Sequence, residues 1–331
     1  MSITKLMFAI GLAISCTAVA HAQPKRVKLA TLLPKGSSAH RTLLTMGEKW
    51  SQTPGAVGLT IYTDGTMGGE AETVRRMRID QVQASLLSVG GLLEIDRSAA
   101  ALQVMPMAFR SLDEVDYVRE RLRPLLDKRL AEKGFVALFW GDAGWVRFFS
   151  KKPVIHPEDL KRLKMFALSS DIGQIDLMKA AGFQPVSLEY TDTLTGLQTG
   201  LIESVPTIPF YALAGQFYLP APYMLDINYV PLTGALVMTR KAWDTFPAAA
   251  QQAMRQSAEE AGKQIEEQSR KEMDESVAAM EKRGLKVNRL TPDARAEWQS
   301  VFDAVYPKLR GNLVPADVFD EVQRLLREYR K

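Results

Sequence analysis

The sequence predicts an α/β fold in two lobes, on three observations. Short β-prone runs alternate with helix-forming runs through the first two thirds of the chain. Once an N-terminal leader is set aside, about 300 residues remain, more than one hydrophobic core usually serves. One amphipathic run in the last third is too long to belong to a single lobe.

Arg26 to Leu32 (RVKLATL) is the first β-prone run, and the loop Leu33-Pro34-Lys35-Gly36-Ser37-Ser38 ends in a helix N-cap signal ahead of His40 to Trp50. Leu59 to Tyr62 predicts a second strand, Gly65 to Gly69 a loop, Glu70 to Arg78 a helix and Val82 to Leu87 a third strand, hence a mostly parallel sheet under helices. Ser111 and Glu114 have capping-box spacing; Val115, Val118, Leu122 and Leu125 follow at helical spacing, with a break or kink at Pro124. Phe135 to Trp140 predicts a strand leading across Gly141 to Gly144 into another, Trp145 to Phe149, and the two glycines bracketing Asp142-Ala143 suit a crossover between lobes.

After His156, Pro157 opens a short helix with acids in its first turn. Lys164 to Leu168 is a strand, Ser170 caps a helix with Ile172, Ile175 and Met178 inward, and Gly182 ends it. Leu197-Gln198-Thr199-Gly200 is read as the start of a strand that stops at Pro206. Between Pro247 and Arg283, Met254, Ala258, Ala261, Ile265, Met273, Val277 and Met280 recur at helical spacing. They predict one helix, or two nearly collinear ones, about 55 Å long and able to brace both lobes. Shorter helices near Pro292 to Tyr306 and Pro315 to Tyr329 close the chain. The expected division is a signal segment over 1–22, lobe I from 23–143 plus 232–270, and lobe II from 144–231 plus 271–331.

Lys5, the uncharged apolar run Leu6 to Val19 and Ala20-His21-Ala22 read as a cleavable secretory signal. The only cysteine, Cys16, lies inside it, and Ala13 stands where a lipidation site would carry a Leu-like residue, so cleavage is expected and no disulfide can follow. Net charge is +4 with acids and bases interspersed, which excludes the basic stripe of a nucleic-acid binder. Ser204 to Leu225 carries no charge, but Pro206, Pro209, Pro220 and Pro222 interrupt it as a membrane span.

Catalytic and metal signatures are missing. Beyond the leader, His40 and His156 are the only histidines, neither at metal-ligand spacing from another ligand, and His156 sits where a capping role is expected. No G-x-S-x-G elbow, P-loop or strand-linked G-x-G-x-x-G is present, and Gly65-Thr66-Met67-Gly68-Gly69 reads as a turn. Glu203 and Asp192 are the least arbitrary carboxylate pair for acid–base work. A non-enzyme without metal or cofactor is the expectation.

The order of motifs resembles the periplasmic solute receptors of tripartite ATP-independent (TRAP) transporters, the dicarboxylate- and sialate-receptor family. The resemblance is carried by Gly68-Gly69-Glu70 after a strand, PVIHPEDLKRL from Pro153 followed by Lys164, Ala181 to Val186 (AGFQPV), Leu197 to Glu203 (LQTGLIE), and Lys241-Ala242-Trp243 at the start of the helix-rich end. It implies a two-lobed periplasmic-binding-protein fold with crossing strands and a long spanning helix. It also implies a small-molecule solute held between closing lobes, and membrane subunits of a TRAP transporter as partners.

One departure changes the expected solute. The family's strand after the E-D-L helix usually reads K-x-R, whose arginine pairs with the solute carboxylate; here the run is Lys164-Met165-Phe166. A second arginine position falls near Trp145, an asparagine position on Thr207, and other wall positions on Leu33, Ser88 and Tyr190. This implies a solute with apolar or aromatic surface stacked among Trp145, Phe166, Tyr190 and Tyr211. A register shift of one or two residues would instead make Trp145 a core residue. Since a buried carboxylate without a cation is costly, Arg147, two residues on and on the same strand face, is the candidate partner for an anion, the alternative being a solvent-facing strand residue. The expected function is a periplasmic receptor for a small organic acid of aromatic or hydrophobic character. The alternatives are a receptor for a neutral apolar solute, or a sensory receptor docking a membrane kinase.

Overall fold

The computed structural model describes residues 26–331 apart from 54, 56 and 169–171; the side chains of 172–174 also lie outside the description. The expected signal segment, the Ser170 cap and the inward Ile172 therefore fall outside the described residues.

The first lobe begins β1 (Arg26–Thr31), α1 (Ser38–Ser51), β2 (Gly58–Tyr62), α2 (Glu70–Arg78), β3 (Ala84–Ser88), α3 (Val89–Leu93), a 3-10 turn (Arg97–Leu102) and α4 (Leu112–Glu132). Its strands β2, β1 and β3 are parallel, as the alternation predicts. Ser37 caps α1 by accepting the His40 N–H, and Ser111 caps α4 by accepting that of Glu114. Glu114 does not return the bond to Ser111: its carboxylate takes the Arg110 N–H at 2.7 Å. Pro124 lies inside α4, which continues through it.

Two long antiparallel strands, β4 (Phe135–Ser150) and β8 (Tyr223–Thr239), run through both lobes. Between them in sequence come α5 (Pro157–Lys161), β5 (Lys164–Leu168), α6 (Ile172–Ala180), β6 (Gln184–Leu188), α7 (Thr193–Thr199), β7 (Ser204–Thr207) and α8 (Pro209–Ala214). The sheet order is β2-β1-β3-β8-β4-β7-β5-β6, so β8 and β4 join one half-sheet to the other. The expected crossover at Gly141 to Gly144 is a register shift within one continuous strand, between Asp142 and Trp145. Gly144 holds φ +85 there, a left-handed backbone that favours glycine, and a Cβ at this position would also press on Met273 Sδ of the helix behind it at 2.9 Å.

The L-Q-T-G run differs from expectation. Residues 197–199 end helix α7, and Gly200 terminates it in the left-handed region at φ 77. The strand β7 follows and includes Pro206, which pairs with Phe148 of β4; the opposite neighbour β5 registers with β7 only at Ser204, so proline's missing donor is tolerated.

The chain ends with α9 (Arg240–Trp243), α10 (Ala248–Glu281), β9 (Lys286–Arg289), α11 (Pro292–Asp303), α12 (Tyr306–Leu309) and α13 (Ala316–Tyr329). The expected brace is α10, unbroken over 34 residues and about 51 Å long. Its first half buries Ala250, Met254, Ala258 and Ala261 against α1 and β4, and its end buries Met280 with Phe149, Val205 and Ala212 of the second lobe. Gly262 permits the close pass: a Cβ there would lie 2.6 Å from the Phe139 ring. Helix α13, which the expected division groups with lobe II, packs on α4. Its stripe Val318, Val322, Leu325 and Leu326 packs with Val115, Val118 and Leu122 of α4, because that helix carries the matching apolar face.

Candidate functional site

A cavity of about 300 Å³ opens where β4 and β8 pass between the half-sheets. The first lobe lines it with Leu33, from the loop after β1, and with Ser88 to Gly90 at the β3–α3 junction. The second lobe contributes Phe166 from β5, Tyr190 before α7, Thr207 at the end of β7 and Tyr211 from α8. Asp142, Ala143 and Val146 of β4, Val230 and Leu232 to Gly234 of β8, and Ile265 and Glu266 of α10 also line it. Ligand sites in α/β proteins favour such places, where strands of adjoining half-sheets end.

Six of the eight sequence-derived candidates, Leu33, Ser88, Phe166, Tyr190, Thr207 and Tyr211, line this cavity; Trp145 and Arg147 do not. Both are corrections with one cause. Trp145 and Arg147 share a strand face, as a period of two requires, but Val146 between them is the residue that lines the cavity. Trp145 is a core residue at 4% exposure, packed among residues of the first lobe. Arg147 forms an ion pair with Asp226 and is 12% exposed. Burial pulls its guanidinium below the usual arginine value, opposed by the charge of Asp274.

The rings of the aromatic wall pack edge to face. Tyr190 meets Tyr211 edge-on at 6.1 Å between centroids, and meets Phe217 in the same way at 6.1 Å. Burial pushes both tyrosine hydroxyls above their usual pKa, so they stay neutral; Thr207 is a hydrogen-bond partner of Tyr190. Phe166 is 7% exposed beside them.

No lysine or arginine lines the cavity among the described residues, and residues 169–174 contain neither type. The charged lining is acidic: Glu70, Asp142 and Glu266. Glu70, first residue of α2, accepts the Ser88 N–H at 2.7 Å, the Ser88 hydroxyl at 2.5 Å and the Gly91 N–H at 2.9 Å. It thus fills the N-terminus of α3 with an internal anion. Burial raises its pKa, and the three hydrogen bonds oppose the rise.

Asp142 and Glu266 belong to a second arrangement, in which three carboxylates meet two guanidiniums. Arg119 reaches Asp142 at 3.0 Å, Glu266 at 2.9 Å and Asp116 at 2.9 Å. Arg270 reaches Asp142 at 2.5 Å, Asp116 at 2.6 Å and Glu266 at 3.0 Å. One negative charge is in excess, and it is expressed at Glu266. Burial first, then the Asp142 and Asp116 charges, push this carboxyl up to about 7 against the pull of both arginines. The three acids also stand close enough to share a cation. Their oxygens already face guanidinium donors, so the set is an ion-pair network before it is a metal centre.

Sequence reasoning missed Glu70, Gln103, Asp142, Val146, Thr233 and Glu266 among the lining residues. Glu70 alone left a local signal, as the acid opening a helix after two glycines. Glu203 lies elsewhere, against Lys152 and the Lys164 N–H. His156 is the N-cap of α5, its N–H held by Asp159 at 2.9 Å and its ring by Glu297 at 2.8 Å.

Residues 29–312 match the model of bacterial extracellular solute-binding protein, family 7. The C4-dicarboxylate-binding periplasmic protein DctP of Rhodobacter capsulatus is 22% identical over 310 residues, 92% of each chain. Among solved structures, a TRAP periplasmic solute binding protein from Shewanella oneidensis with bound succinate superposes at TM-score 0.84 and 19% identity, covering 92% of this chain and 99% of its own. One from Chromohalobacter salexigens with bound D-glucuronate gives 0.83 and 18%, covering 91% and 99%. At these identities the superpositions establish the fold.

Proposed function

Because this chain belongs to the bacterial extracellular solute-binding proteins of family 7, we propose that it is a periplasmic receptor for a TRAP-type importer, and that its solute is a small molecule with a broad apolar or aromatic face. The succinate and D-glucuronate bound in two solved structures of the same fold support a small organic solute. One observation carries the finer reading: the cavity presents Phe166, Tyr190 and Tyr211 and no basic side chain among its described lining. A dicarboxylate there would be stripped of water beside Glu70 and Glu266 without a counter-charge. Arg119, Arg270 and Arg147 are committed to protein carboxylates.

The favoured solute is neutral. A monocarboxylic acid is the second reading, supported by Glu266, whose carboxyl near 7 holds a proton that a solute carboxylate could share. The test is a thermal-shift screen of the mature chain with benzamide, acetophenone, benzoate, phenylacetate, succinate and glucuronate. Stabilisation by the aromatic compounds is expected. Stabilisation by succinate or glucuronate alone would refute the apolar-solute reading.

A further inference from the structure

Two features of the cavity lie away from its aromatic wall. Thr233, in the middle of β8, is 1% exposed and lines the cavity, and its Oγ1 has no hydrogen-bond partner among the described residues. Its register partner Asp142 offers no relief, because the Gly144 N–H, Arg119 and Arg270 already take both carboxylate oxygens. The backbone N–H of Thr233 donates to Gln103 Oε1 at 3.0 Å. That bond engages the Gln103 amide through its oxygen, and the Nε2 group of this cavity-lining residue is the donor it has left to offer. A buried hydroxyl without a partner is costly, so a solute that supplies an acceptor gains by relieving it.

The second feature is a side cavity of about 30 Å³ that adjoins the first across Gln103, Val104 and Tyr229. Beyond them its lining is apolar, with Phe148, Met165 and Phe183 facing Phe302 of α11. The volume suits one methyl-sized group, and a water there would lack the polar partners that hold buried water.

We propose that the solute carries an uncharged hydrogen-bond acceptor of the carbonyl class, seated between Thr233 Oγ1 and Gln103 Nε2, and beside it a short aliphatic branch that enters the side cavity. This rests on the apolar-solute reading above and narrows it. An anionic group is disfavoured at this end because both donors are neutral and Glu266 stands on the same wall.

Calorimetry with acetophenone, propiophenone and benzoate tests it on the wild type, Thr233→Val, Thr233→Ser and Ala181→Leu. Ala181 lines only the side cavity, so the larger side chain fills it without entering the main one. The ketones should bind the wild type more tightly than benzoate. Thr233→Val should weaken acetophenone about fivefold while Thr233→Ser keeps its affinity. Propiophenone should bind about fourfold more tightly than acetophenone, the worth of one buried methylene, and Ala181→Leu should abolish that preference. Unchanged acetophenone affinity in a folded Thr233→Val, or equal affinity of the two ketones for the wild type, overturns the proposal. Should Thr233→Val not fold, the ketone ratio in Ala181→Leu decides alone. Binding of benzoate only overturns the proposal and leaves the aromatic reading standing; binding of none of the three overturns that reading itself.

Discussion

The Arg270 guanidinium lies 3.0 Å from the Glu266 carboxylate, yet burial first, and then the charges of Asp142 and Asp116 that share the same two arginines, push that carboxyl up to about 7. The folded-state pKa of Glu266 is above its unfolded value. Its contribution to stability is therefore full below about 4.5 and is lost as pH rises through about 7. Between pH 6 and pH 8.5 the melting temperature should fall by about 3 °C on this account, and Glu266→Gln should flatten the decline. Parallel slopes for the two proteins would show that another group is responsible.

If the solute is a monocarboxylate, the same carboxyl sets the pH dependence of binding. Benzoate affinity should then weaken as pH rises from 6 to 8, while benzamide affinity stays level. Calorimetry at three pH values checks this, and Glu266→Gln should remove the dependence.

Phe166 occupies the wall where the related receptors are expected to place an arginine. Phe166→Arg puts a cation into a cavity that has none among its described lining residues. The wild type should show no thermal shift with millimolar succinate, and the variant should gain a few degrees, about what binding near a millimolar Kd gives. A wild type already stabilised by succinate would contradict the assigned role of Phe166.

Arg147 is a structural residue on this geometry. Arg147→Ala leaves Asp226 without its partner and should cost about 3 kcal/mol in urea unfolding, with Asp226→Asn in the same background costing little more. Affinity for any solute found in the screen should stay within about twofold of wild type. Loss of binding in a folded variant would return Arg147 to the site.

Glu70 organises the β3–α3 junction through three hydrogen bonds. Glu70→Ala should destabilise the chain by about 2–3 kcal/mol, because it strands two N–H groups and a hydroxyl. Glu70→Gln, which keeps an acceptor, should lose about half as much.

Long-period features were legible in the sequence, whereas strand parity at an irregularity was not. The bounds of α2 and β5 and the unbroken α10 follow from caps and spacing that act locally. Trp145 and Arg147 were misplaced because β4 shifts register against β8 on both sides of Val146, and a single-residue slip exchanges the two faces of a strand. The L-Q-T-G helix was read as strand because its seven residues are too few to show a period. Thr233 and Glu266 reach one cavity only through the crossing of β8 and α10, a pairing set by tertiary contact.

The shared strands also govern when this protein can fold. Ala84 of β3 takes Met238 of β8 as its partner, about 150 residues further along the chain, and pairings of such sequence separation are of the kind that form slowly. Neither half-sheet is complete until β8 is available, and the lobe that begins at the N-terminus remains open-edged while the intervening second-lobe strands are made. On the export reading, that delay is useful: a chain still lacking its central strand is one that a translocation pathway can thread.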